Sequence, residues 1–300
     1  MNDAFHLRRL LLCWLGLWVG LLPGLLAQKK LAPATQTYAL TNVHVVPAPG
    51  ELIKNATVIV EDGLIRAVGT DVKIPGNARI MAMDSMYVYA GFIDGLAHTG
   101  IPKPKETSGS DSRSRRGGSR GEEVANPTPE KAGIQPDRMA RELLDPSDKS
   151  VTEWRKAGFT LVHTVPHGQM LPGQGAIVLL AGEKAKEMVL AGENSLFAQW
   201  QSARGVYPGT LIGVLAKWRD LYHQAELNLK HSEAYAANPA GMARPERDPV
   251  LEAFHPVIQQ KLPVVFKVES YLEIQRALTL QQELKFPLIL AGLKHGRAML

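Results

Sequence analysis

Gly91-Phe92-Ile93-Asp94-Gly95-Leu96-Ala97-His98 joins two regions of different pattern. It follows a strand-like run from Tyr87 to Ile93, so Asp94 and His98 fall at the carboxyl end of a strand. In β/α barrels the chemistry sits at such ends. Two histidines one residue apart on an extended segment point the same way. Such a pair can grip a divalent ion and leave a position open for an activated water. Here His98 is the one histidine of the segment.

Working back toward the N-terminus, residues 37–90 read as short strands of one small sheet, expected to be antiparallel. Val43-His44-Val45-Val46 and Ala56-Thr57-Val58-Ile59-Val60 are β-branched runs. Asp62-Gly63 separates the second run from Leu64-Ile65-Arg66-Ala67-Val68, a strong hairpin signal. A few short strands cannot bury two faces alone.

Working forward, residues 102–136 are rich in Pro, Ser, Gly and charge, which predicts a disordered insertion. Order resumes with a short helix near Met139, Leu143 and Leu144. A second helix is expected from Ser150 to Lys156, with Ser150 as its cap. Phe159 to Val165 reads as a strand, and Ala176 to Leu180 as another after a Pro-Gly-Gln-Gly turn. Leu215, Trp218, Tyr222, Ala225 and Leu229 recur at helical spacing from Leu211 onward. Val264 to Val268, then Leu272 to Leu284, then Leu288 to Ala291 read strand, helix, strand. That rhythm predicts βαβ units and a parallel sheet.

These residues together resemble the start of an amidohydrolase-superfamily protein of the imidazolonepropionase-like group. The resemblance rests on Ala39-Leu40-Thr41-Asn42, Asn55 to Gly63, Ile65 to Gly69 and Gly91-Phe92-Ile93-Asp94. It continues through Ala157-Gly158-Phe159-Thr160, Gly173-Gln174-Gly175-Ala176, Tyr207-Pro208-Gly209-Thr210 and the region from Leu262 onward. It implies an α/β fold: a (β/α)8 TIM-type barrel over residues 91–300, incomplete in this chain, with a small N-terminal β-sandwich-type sheet over residues 37–90. It also implies a chemistry in which zinc or another divalent metal activates water for attack on a carbon–nitrogen bond.

The departures from that family pattern fall on the metal ligands. Leu96 stands where the first histidine belongs, and His98 matches the second. Lys267 stands near the next ligand histidine, and a protonated lysine repels a divalent cation. Ala291-Gly292 stand about where another is expected, with His295 a few residues late. The final aspartate would lie beyond residue 300. The resemblance therefore implies a degenerate metal site with His98 as a vestigial ligand and no cofactor bound. The expected protein is a non-catalytic barrel, and the sequence reads as a piece of a longer protein. A second amidohydrolase domain or another copy of the chain is the expected partner. An active one-metal hydrolase built on His98, with a ligand such as His163 or Glu269, is the alternative. A small-molecule binding protein is another.

The remaining candidates are pocket residues. His163 and His167 flank Pro166 at the end of a strand. Lys267 and Glu269 share a strand side and are expected to pair. Gly173-Gln174-Gly175 begins no helix and lacks the lysine of a phosphate loop. His223 and His231 are expected to face solvent.

Composition narrows the field further. Cys13 is the only cysteine, so a mature chain lacking residues 1–27 has no thiol nucleophile, thiolate site or disulfide. Arg8-Arg9 precede an apolar run from Leu10 to Leu26, with Ala27 as the cleavage position, the pattern of a signal peptide. With Pro23 inside it, the run is short for a membrane span. The expectation is export to the periplasm or beyond, with no stable span after cleavage. The net charge of +5 comes partly from Arg113, Arg115, Arg116 and Arg120. That run has no aromatic residues for stacking and no recognition helix, so nucleic acid is not an expected partner.

Overall fold

The computed structural model describes residues 37–103 and 124–296. The proposed signal peptide, residues 1–27, and the arginine run lie outside the described residues. Two compact units form, the first ending at Ala90 and the second beginning at Gly91. No helix among the described residues is long and apolar enough to cross a membrane.

The first unit is a five-stranded sheet of β1 (Thr37–Val46), β2 (Ile53–Glu61), β3 (Leu64–Gly69), β4 (Arg79–Ala82) and β5 (Tyr87–Tyr89). Asp62 and Gly63 both take positive φ, which a two-residue hairpin between β2 and β3 requires. Val43, Val45, Ala56 and Val58 form the buried cluster of β1 and β2. The expectation of a wholly antiparallel sheet is corrected: β4 and β5 both pair parallel with β1, along different halves of it. A bulge at Asn42, with φ 59°, lets one long strand serve both.

The second unit carries a six-stranded sheet in the order β11-β10-β9-β8-β7-β6. Its strands are β6 (Phe92–Ala97), β7 (Phe159–Thr164), β8 (Gly173–Leu179), β9 (Val189–Gln199), β10 (Val264–Val268) and β11 (Leu288–Gly292). Helix α1 (Lys149–Lys156) lies between β6 and β7, α2 (Leu211–Ala237) between β9 and β10, and α3 (Tyr271–Leu284) between β10 and β11. Each of these strand pairs is parallel, as helical crossovers demand. The sheet is nonetheless mixed, because β8 runs antiparallel to both β7 and β9.

Helix boundaries follow local chemistry. Asp148, not Ser150, caps α1 by accepting the Ser150 amide at 2.8 Å. Ser270 and Glu273 close a capping box on α3. On α2 the buried residues Val214, Trp218, Leu221, Tyr222 and Ala225 form one face. Trp218 packs between Phe254, Phe266 and Phe286, with ring centroids 5.5–6.0 Å away.

Two further expectations are corrected. Residues 124–136 are structured: Pro129–Ala132 forms a helical turn, and Ala132 and Ile134 are buried in the α2 core. Gly173-Gln174-Gly175 is not a turn but the start of β8, pairing with Phe197, Leu196 and Ser195 of β9.

On the inner face of the sheet, Val165, Phe197 and Val265 cluster, and Leu96 of β6 and Ala291 of β11 both pack against them. These two strands stand at opposite ends of the hydrogen-bonded order. The sheet must therefore curl until its ends approach one lumen. Six strands curl in this way, but no pairing of β11 with β6 closes them into a complete barrel.

Candidate functional site

Side chains on one face of a strand recur every second residue, so the lumen is built in layers. The apolar cluster around Val165, Phe197 and Val265 is the middle layer. His163 and Ser195 lie one step below it, two residues before Val165 and Phe197. His98 and Lys267 lie one step above it, two residues after Leu96 and Val265.

In the upper layer, His98 follows directly on β6, while Asp94 lies within that strand. The Asp94 carboxylate accepts the Leu96 amide at 3.0 Å. Nδ1 of His98 donates to the Val165 carbonyl at 2.8 Å, which leaves Nε2 as the unprotonated nitrogen. His167 stacks on it, with centroids 4.1 Å apart and planes 23° apart. The Phe197 ring meets His98 edge-on. Burial is the main cause that lowers the His98 pKa. The Val165 carbonyl opposes this, and the charges of Lys267 and Lys103 add to it. Burial also lowers His167, followed by repulsion from His98. A hydrogen bond at Ile101 opposes the shift, and Lys103 and Arg138 reinforce it. Lys267 and Glu269 lie 3.6 Å apart and are both partly exposed, so their attraction adds little stability. Beside them is a shallow cavity of about 240 Å³, lined by Gln199, Trp200, Gln201 and Glu273 as well as the ion pair.

In the lower layer, His163 donates from Nδ1 to the Gly95 carbonyl at 2.9 Å. Its Nε2 accepts from the Ser195 hydroxyl, also at 2.9 Å. Burial lowers its pKa, opposed by Gly95, Asn194 and Asp94. Gly175 makes room for the pair, since a methyl group there would collide with both His163 and Ser195. Ser195 is fully buried. It went unrecognised in the sequence because Gly192-Glu193-Asn194 breaks the apolar pattern of β9, and only the pairing of Ser195 with Gly175 reveals it.

The divalent metal implied by the resemblance does not fit these donors. Leu96 contributes a hydrocarbon and Lys267 a cation. Both nitrogens of His163 are engaged. The stacked rings of His98 and His167 hold their lone pairs in nearly parallel planes. Ligation by both would need those lone pairs to converge on one ion at about 2.0–2.1 Å. Among the described residues, no group of three or more His, Cys, Asp or Glu is placed to hold a metal. His295 donates its backbone amide to the Glu269 carbonyl at 3.0 Å, beyond the end of β11. His223 is exposed on α2, and His231 is half-buried with Nε2 3.0 Å from the Ala243 carbonyl.

No family profile matches the sequence, and no curated protein matches it. Among solved structures, the chain is similar to an amidohydrolase from Thermotoga maritima MSB8, with a TM-score of 0.69 and 20% identity. That likeness covers 87% of this chain and 66% of the other, so this chain spans just under two thirds of its neighbour's length. A second solved amidohydrolase aligns with a TM-score of 0.34 and 13% identity, over 81% of this chain and 59% of that one, too low a score to show a shared fold. The first likeness shows that this chain has the amidohydrolase fold. It does not bear on activity.

Proposed function

We propose that this chain is a non-catalytic barrel of the amidohydrolase fold, related to the imidazolonepropionase-like group and without a working metal site. The observation that carries the reading is the upper layer of the lumen. Leu96 and Lys267 stand at ligand positions, and His98 is stacked on His167 above an apolar plug. A partly exposed cation beside a vestigial ligand opposes a divalent ion by direct repulsion.

On this reading the barrel serves as the structural or partner-binding half of a longer exported protein. Its partner is a second amidohydrolase domain or another copy. β6 and β11 end the hydrogen-bonded order among the described residues, and such edge strands support a partner-binding role. Arg8-Arg9 and the apolar run to Leu26 support export, with cleavage after Ala27.

The test is hydrolysis of simple amide and acyl–amino-acid substrates by the purified chain, with and without added zinc. The expected rate equals that of buffer. Zinc-dependent turnover abolished by His98→Ala would overturn the proposal in favour of a one-metal hydrolase.

A further inference from the structure

One cavity of the second unit lies outside the lumen. Its volume is about 540 Å³, within the range of small-molecule sites. Gln174 of β8 forms part of its lining. Gly175 faces the lumen, so the preceding side chain turns to the opposite side of the sheet. The Gln174 backbone amide donates to the Arg138 carbonyl at 2.7 Å. The residue is only 6% exposed, and its side chain lines the cavity without a hydrogen bond to another described residue.

Three carboxylates share the cavity: Asp137, Glu193 and Glu252. Arg141 holds Glu193 at 2.7 Å, and Arg247 approaches Glu252 at 3.8 Å. Arg247 and Lys261 line the cavity too; Lys261 donates to the neutral Gln259 amide at 2.9 Å and keeps its charge. Asp137 is exposed, makes no hydrogen bond or ion pair with a described residue, and has Arg138 as a charged neighbour. Met139 and Leu262 supply an apolar wall.

We propose that this cavity binds a small alkylguanidinium ligand through Asp137 and the buried amide of Gln174, with the alkyl stem against Met139 and Leu262. A guanidinium carries five N–H donors in one plane and no acceptor. It can meet a carboxylate in two-point fashion and still give a donor to the amide oxygen. A neutral ligand would gain no charge-assisted bond from Asp137.

The test is calorimetric titration of agmatine into the full chain. Putrescine is the comparison, because it keeps the positive charge and lacks the planar fork. A short capped arginine peptide separates a free ligand from an arginine side chain. Saturable agmatine binding is expected, weakened about tenfold or more by Asp137→Asn and by Gln174→Leu, and at least about tenfold tighter than putrescine. A capped peptide that binds as well as agmatine assigns the source to a protein arginine. If Gln174→Leu does not fold, Asp137→Asn, at an exposed position, decides alone. No saturable binding, equal binding of putrescine, or binding unchanged in Asp137→Asn would overturn the proposal. None of these outcomes depends on metal or on hydrolysis at the lumen.

Discussion

The imidazoles of His98 and His167 stack 4.1 Å apart at the mouth of the lumen, each with its pKa lowered chiefly by burial. Burial disfavours protonation of both rings, Lys103 adds to the effect on each, and Lys267 adds to it on His98. At a position where the fold's resemblance implies a cation, this chain places its own positive charges.

Acid should therefore destabilise the second unit. His98, His163 and His167 have folded-state pKa values below the ordinary histidine value of about 6.5. Above that value both folded and unfolded chains are neutral at these sites. As pH falls below it, the unfolded chain takes up protons that the folded chain refuses, so stability drops until the folded values are passed. Thermal melts from neutral pH to about pH 5 should show a falling Tm, with a shallower fall in His167→Gln. A flat profile contradicts neutral burial of these rings.

Restoring donors should restore metal affinity. Leu96→His together with Lys267→His adds two imidazoles beside His98 and removes the ammonium. Zinc titration of the double variant should show binding at least about tenfold tighter than in the parent chain. Equal affinity would mean that the ring geometry, rather than donor loss, governs the site.

The lower layer has its own test. Gly175→Ala places a methyl against His163 and Ser195, and overpacking of this kind costs about 1–3 kcal/mol. Gly95→Ala is the comparison, since a methyl there meets nothing within 4 Å. Urea unfolding should separate the two variants, with only Gly175→Ala losing that amount.

The α2 core rests on Trp218, which has no exposed surface and touches three phenylalanines. Trp218→Ala should cost about 3–5 kcal/mol by chemical denaturation. A loss under about 1 kcal/mol would mean that the cluster collapses to fill the space.

Much of the fold was legible because its signals are local. Asp62-Gly63 announces a hairpin, and the α2 periodicity announces a buried face. The succession from Val264 to Ala291 announces a βαβ unit. What escaped depends on partners distant in sequence. β9 was missed because polar Gly192-Glu193-Asn194 interrupts it, and the parallel pairing of β4 and β5 depends on the bulge at Asn42. The Asp148 cap lay just outside the expected helix, whose own serine offered a nearer capping residue.

The site was legible in part. His98, His163, His167, Lys267 and Glu269 were all named from sequence, and the structure sorts them into layers. His98, His167 and Lys267 share the upper layer, with Glu269 paired to Lys267, while His163 belongs below the apolar plug with Ser195. That separation follows from strand register, which no single segment encodes.

The central claim is that this lumen has no working metal site. Elemental analysis of the purified chain after exhaustive dialysis tests it most directly. Metal well below one equivalent per chain, unchanged by His98→Ala, is the expected result. One equivalent of zinc that survives dialysis and disappears on His98→Ala would contradict it.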